Sequence, residues 1–173
     1  MIATLVQDDL VEELKTIFRN MTFPDPRGDL VPLNIYKQDL PIPVAAEMPF
    51  TVSDEDLEEG VYDARPEETP FPYIIVRVGK GHIADANGEQ RVDVDLLIGV
   101  IDRDYKNQGH KEVLNIIQKI YERFAKNVIL AKKYECVAPM DWALQEEGSY
   151  PYFFGGMALT FETIAIRRED PYI

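Results

Sequence analysis

The sequence predicts a single α+β domain spanning residues 1–173, with a mostly antiparallel sheet of about four strands and two helices packed on one face. Three observations carry that expectation. Two segments repeat apolar residues at three- and four-residue spacing, as one face of a helix requires. The run Val92, Val94, Leu96, Ile98, Val100 alternates with period two against Arg91, Asp93 and Asp95. Between the first helix and that run lies a proline-rich stretch that excludes long helices and reads as an extended arm.

Residues 4–20 form the first predicted helix, with Leu10, Leu14, Ile17, Phe18 and Met21 on the apolar side and Asp8, Asp9, Glu12, Glu13 and Lys15 opposite. Thr4 and Gln7 have capping-box spacing, which predicts the helix start. Residues 22–72 hold nine of the twelve prolines. Within them, Glu47 to Glu68 carries nine acids against one base, Arg65, so this stretch supplies eight of the thirteen net negative charges. Such a run is a solvated loop or an arm that orders against a neighbouring subunit.

Residues 73–101 are expected to form a β-hairpin with Asn87-Gly88 at its tip, a pair that tolerates the positive φ angles of a tight turn. That two-residue turn would pair Ile83 with Val92, yet matching Val78 to Leu96 on the same face leaves one extra residue in the first strand. A β-bulge is therefore predicted at 79–81, with glycine supplying the backbone angle. A second helix is expected over 107–126, N-capped by Asn107 and carrying Val113, Ile116, Ile117, Ile120 and Phe124 as a wide apolar stripe. Two strands follow, near 134–144 and 152–167, with Pro139 requiring a bulge or an edge position in the first. The link Gln145–Pro151 has turn composition.

Composition narrows the function classes. An apolar content of 46% sustains a core, and 18 basic against 31 acidic residues give a net charge of −13. That balance opposes a nucleic-acid-binding domain, which needs a basic footprint. The lone Cys136 excludes an internal disulfide and reads as a buried, inert thiol in a reduced, intracellular compartment. The N-terminal segment lacks the pattern of a secretory leader, and no run of about 18 apolar residues is present, so no membrane partner is expected.

Candidate chemistry is sparse. His82 and His110 are the two histidines, and neither has a carboxylate or nucleophile fixed at helical or strand spacing. Asp93, Asp95, Asp102 and Asp104, with Lys106 nearby, are the residues a divalent-metal nuclease would use, although alternation alone places Asp93 and Asp95 on one exposed face. Gly79-Lys80-Gly81 and Gly155-Gly156 fit neither phosphate-loop pattern. No catalytic residues, cofactor or metal site are predicted. The acidic face also suits an adaptor or regulatory module docking a basic partner.

Four stretches carry a family likeness: VDVDLLIGVIDRD at 92–104, NQGHKEVLNIIQKIYERF at 107–124, CVAPMDWALQEEGSYPYFFGG at 136–156 and MALTFETIAIRRED at 157–170. In their order, and in the Asp-rich strand end, the Gln-Gly-His helix start and the Pro-Tyr-Phe-Phe-Gly lead-in to the last strand, residues 90–168 resemble tail-completion or tail-terminator proteins of long-tailed bacteriophages and prophages. The resemblance implies a small subunit that assembles with itself into a ring, usually a hexamer, capping the tail tube and joining it to the head. Its implied partners are tail-tube and head–tail connector proteins, with DNA only as passing, non-specific cargo. Its implied location is the virion tail, and the host bacterial cytoplasm during assembly. On that footing the expected subunit contacts are the arm, with Asp54, Glu55, Asp56, Glu58 and Glu59, and the hairpin tip, with His82, Ile83, Asn87 and Gly88.

Overall fold

The computed structural model describes residues 2–42, 70–84 and 88–163. Helix α1, Ile2–Ile17, buries Val6, Leu10, Val11 and Leu14. It starts earlier than the capping pattern predicts, so Thr4 lies inside the first turn and the box is not formed. Gln7 instead reaches the sheet, donating to the Val76 carbonyl at 2.8 Å and to Gln38 Oε1 at 3.1 Å.

The first part of the proline-rich stretch is structured, which corrects its reading as an arm throughout. Strands β1 (Thr22–Pro24) and β2 (Leu30–Pro32) pair antiparallel as a separate ribbon. Its turn is closed by Asp25 Oδ1, which accepts from the Arg27 and Asp29 amides, and by Gly28 at φ 89°. Prolines at strand ends are tolerated in a two-stranded ribbon, where the missing donor faces no third strand. Phe23, 1% exposed, pins the ribbon to the core. Strand β3, Asn34–Lys37, then pairs parallel with β4.

The main sheet has six strands in the order β3-β4-β5-β8-β7-β6, two more than expected, and apart from β3·β4 every pairing is antiparallel. Strands β4 (Tyr73–Ile83) and β5 (Gln90–Ile101) form the predicted hairpin. The register skips between Val78 and Lys80, making Gly79 the extra residue of the predicted bulge. The reason given for glycine there does not hold, because Gly28 is the one described glycine with positive φ. The two-residue turn and the expected match of Val78 to Leu96 are also corrected: Ile83 pairs with Gln90, Gly81 with Val92 and Val78 with Val94, leaving six residues between the strands. Keeping Ile74, Val76 and Val78 opposite Ile98, Leu96 and Val94 on the buried face sets this register over the preference of the Asn-Gly pair.

Helix α2 runs His110–Lys126 and buries all five residues of its predicted stripe. Gly109 is its N-cap; Asn107 sits at φ 55° in the preceding turn, with its amide donating to the Asp104 carbonyl, and does not cap the helix. Strand β6 is the short pair Ile129–Leu130, unforeseen because two residues carry no periodicity. Strands β7 (Tyr134–Leu144) and β8 (Tyr152–Thr163) complete the sheet. The register of β7 breaks between Val137 and Asp141, around Pro139, as predicted. The expected extension of the last strand to 167 lies outside the described residues.

Both helices pack on one sheet face, where Val94, Leu96, Ile98, Met157, Leu159 and Phe161 meet α1 and α2 in one apolar cluster. Each such fully buried aliphatic or aromatic side chain contributes roughly 1.5–3 kcal/mol. Phe124 and Phe161 meet edge to face at 5.6 Å. Arg123 ties three elements together: it pairs with Glu13 of α1 and donates to the carbonyls of Asn127 at 2.6 Å and Ile129 at 3.2 Å. On the other face, no described helix covers the sheet. There Phe71, Tyr73, Tyr152 and Phe154 cluster with ring centroids 5.0–5.9 Å from Phe71, and Tyr73 lies directly over Gly99.

Candidate assembly surface

Three segments meet at one end of the sheet. There β5 runs out into residues 102–109, α2 begins, and the β7–β8 turn spans 145–151. Two hydrogen bonds join them: the Asp102 amide donates to the Pro151 carbonyl at 2.9 Å, and the Tyr150 hydroxyl donates to the Arg103 carbonyl at 2.6 Å. Gly109 is required by close approach, since a Cβ there would lie 2.4 Å from the Phe153 ring. Gly155 plays the same part beneath α2, with Val113 Cγ1 2.5 Å from the place a Cβ would take.

The polar groups at this end are used to hold the loops. Asp102 Oδ1 accepts from the Asp104 amide and Asp104 Oδ1 from the Lys106 amide, each at 2.9 Å, two successive Asx turns. Gln145 braces the next turn, accepting the Phe154 amide at 2.8 Å and donating to the Glu147 carbonyl at 2.8 Å. Ser149 Oγ donates to the Tyr152 carbonyl at 2.9 Å. The exposed residues at this end include aromatics, Tyr105 at 87% exposure, Tyr150, Tyr152 and Trp142 at 57% on β7, together with the charged Arg103, Asp104, Lys106, Glu146 and Glu147. Rigid aromatics on a well-braced scaffold are the residues that anchor protein–protein contacts.

Two hollows accompany this end. One, of about 270 Å³, is lined by Asn107, His110, Leu144, Gln145, Glu146, Glu147, Gly148, Phe153 and Phe154; it holds His110 beside two carboxylates but contains no serine, cysteine or lysine. The other, of about 240 Å³, lies on the helix-free face, where Ala143, Gly156 and Ala158 leave room between Asp95, Asp141, Leu97 and Trp142.

The predicted site residues are not gathered in one place. His82 and Ile83 end β4, both exposed, at the end of the sheet opposite the aromatic rim. Gly88 follows in the hairpin connection, while Asn87 and all of Asp54, Glu55, Asp56, Glu58 and Glu59 lie outside the described residues. The four aspartates weighed as a metal cluster are split. Asp93 and Asp95 project from the middle of β5, and Asp93 Oδ1 accepts from Thr160 Oγ1 at 2.9 Å. Asp102 and Asp104 lie past the end of the same strand, more than about 20 Å away at the usual ~3.3 Å rise per residue. They cannot share an ion. Among the described residues no group of three or more His, Cys, Asp or Glu is placed to hold one. Cys136 is buried, and that burial pushes its thiol up to about 11.

Sequence reasoning passed over the aromatic rim. Tyr105, Tyr150, Tyr152 and Trp142 sit beside Asp, Pro or Glu in loops and at a strand edge, and exposure is what separates them from the core aromatics. Among the described residues, no helix is long and apolar enough to cross a membrane. Comparison with known proteins gives no matching protein-family model and no curated protein of matching sequence.

Proposed function

We propose that the chain is a structural subunit of a long-tailed phage or prophage tail, forming a ring that caps the tail tube and joins it to the head. The observation that supports this reading is the convergence of the resembling stretches on one end of the sheet that is rimmed by exposed aromatics and braced by Asp102, Asp104 and Gln145, whose side chains hold backbone. Such an end serves as a docking platform for the next ring of a tail. The charge fits the same role: a subunit with net −13 repels the phosphate backbone of passing DNA and lets it slide. On this reading the chain binds no cofactor and turns over no substrate. Its partners are its own copies, the tail-tube protein and the head–tail connector.

Immunogold labelling of particles released from the host strain tests the reading. Label at the head–tail junction, with flanking genes encoding head, tail-tube and tape-measure proteins, is the expected result. A chain absent from particles and flanked by metabolic genes overturns it in favour of an adaptor that docks a basic partner.

A further inference from the structure

We propose that copies of this chain join head to tail through the two outer edges of the six-stranded sheet, β3 and β4 of one copy against β7 and β6 of the next. The contact specifies how the subunit proposed above meets its own copies, and it rests on that reading only in requiring a second copy.

The outline of the sheet is stepped at both edges. One row of paired residues runs Tyr36, Ile75, Leu97, Gly156, Ala143; another runs His82, Arg91, Glu162, Glu135, Ile129. On the first row β3 projects at one edge, and β7 has no outer partner at the other. On the second row β6 projects, and β4 has no outer partner. Each edge therefore advances by one strand at the level where the opposite edge recedes by one. The two stepped outlines interlock, with β3 filling the step beside β7 of the next copy and β6 filling the step beside β4.

Direction and length agree. Strand β3 is parallel to β4, and β7 is antiparallel to β4 by three successive antiparallel pairings, so β3 meets the β7 edge antiparallel. With Tyr36 opposite Ala143, the residues Ile35, Tyr36 and Lys37 fall within the regular run Asp141–Leu144 that follows the Pro139 bulge. Proline and bulge limit the open edge to that run, which discourages indiscriminate strand pairing. Gln38 caps β3: at φ 67°, its side-chain amide takes both the amide and the carbonyl of Val78 at 3.1 Å, ending the projecting strand at the step.

The side chains on the two edges are complementary. The β3/β4 edge presents Lys80 and His82, with Lys37 and Arg77 already paired to Asp8 and Asp39, whereas the open run of β7 presents Asp141, with Glu146 and Glu147 just beyond. Lys80, Asp141, Glu146 and Glu147 have no ion-pair partner among the described residues. In the interlocked register Tyr36 comes opposite Ala143 of the next copy, beside the 240 Å³ hollow that Ala143, Gly156 and Ala158 leave open. Lys37, whose ammonium pairs with Asp8 of its own chain at 2.7 Å, comes opposite the exposed indole of Trp142. At the other step His82 comes level with exposed Ile129 of the next copy. The rows meet with no displacement along the strands, which a closed ring requires of a head-to-tail contact.

Cysteine cross-linking tests the register. The double variant Tyr36→Cys/Ala143→Cys, treated with a mild oxidant or a short bis-maleimide, is expected to give a ladder of covalent multiples ending at the ring. A mixture of the two single variants stops at dimers, and each single variant alone gives at least about tenfold less product. The buried Cys136 is common to all and serves as background. A second pair, His82→Cys/Ile129→Cys, repeats the test at the other step should the Tyr36 substitution unfold the chain, which circular dichroism reports. Cross-linking by a single variant indicates a two-fold contact and overturns the proposal. Lack of a ladder from an oligomer of unchanged native mass overturns these edges while leaving self-assembly standing; a monomer at every concentration removes both.

Discussion

Replacing Gly155 by alanine tests how α2 is seated on the sheet. The added Cβ would lie 2.5 Å from Val113 Cγ1, 3.1 Å from the Ala143 carbonyl oxygen and 3.3 Å from Leu144 Cδ2. Carbon atoms prefer separations of about 3.5–4.0 Å, so the helix must move by about an ångström or Val113 must leave its rotamer. Overpacking of this kind costs roughly 1–3 kcal/mol. For a chain of this length each kcal/mol lowers Tm by roughly 2–4 °C. Val113, fully buried, costs about 2 kcal/mol on truncation to alanine. The double variant, however, places the new methyl in the space the valine vacates. Urea unfolding of both single variants and the double variant should therefore give a combined loss smaller than the sum by about 1 kcal/mol or more. Rescue stays partial because the Ala143 oxygen remains close. Additivity within about 0.3 kcal/mol, or a neutral Gly155→Ala, refutes the close approach of α2.

The remaining predictions concern other elements. Gly79→Ala at the bulge is expected to be tolerated, within about 1 kcal/mol of the parent in urea unfolding, because the new Cβ meets nothing closer than Asp95 Oδ2 at 3.5 Å and the backbone needs no positive φ. Arg123→Lys should lower stability by roughly 1–3 kcal/mol by thermal unfolding, since an ammonium cannot reach Glu13 and the Asn127 and Ile129 carbonyls together. Cys136 should resist thiol reagents at pH 8 until the chain unfolds. Its folded thiol is raised above the ordinary 9.0, to about 11, by burial, so the stability it contributes is complete below pH 9 and is lost as pH rises toward 11. Over that window the parent should lose more stability than Cys136→Ala.

The parts of the fold legible in the sequence are those whose periodicity spans many residues. The alternation from Val92 to Val100 and the stripe from Val113 to Phe124 were each long enough for burial to outweigh local preference. Counting residues between the two faces also located the bulge at Gly79. Short elements were not legible: β3 has four residues among prolines, and β6 has two. Asn107 illustrates a different failure. Its composition suits an N-cap equally well as the left-handed turn it occupies, and the choice is made by Gly109, which must pass beneath Phe153. Of the candidate contacts, His82 and Ile83 are exposed at the end of β4, but the aromatic rim and the stepped edges depend on which strands become neighbours, and β5 pairing with β8 is a contact between residues some sixty apart.

The central claim is that this chain is built to meet its own copies. Native mass spectrometry of the full chain, across concentrations from about one to one hundred micromolar, measures that directly. The account predicts a single closed multiple of the 19.8 kDa subunit, reached without a continuum of larger species. A mass of 19.8 kDa at every concentration would contradict it.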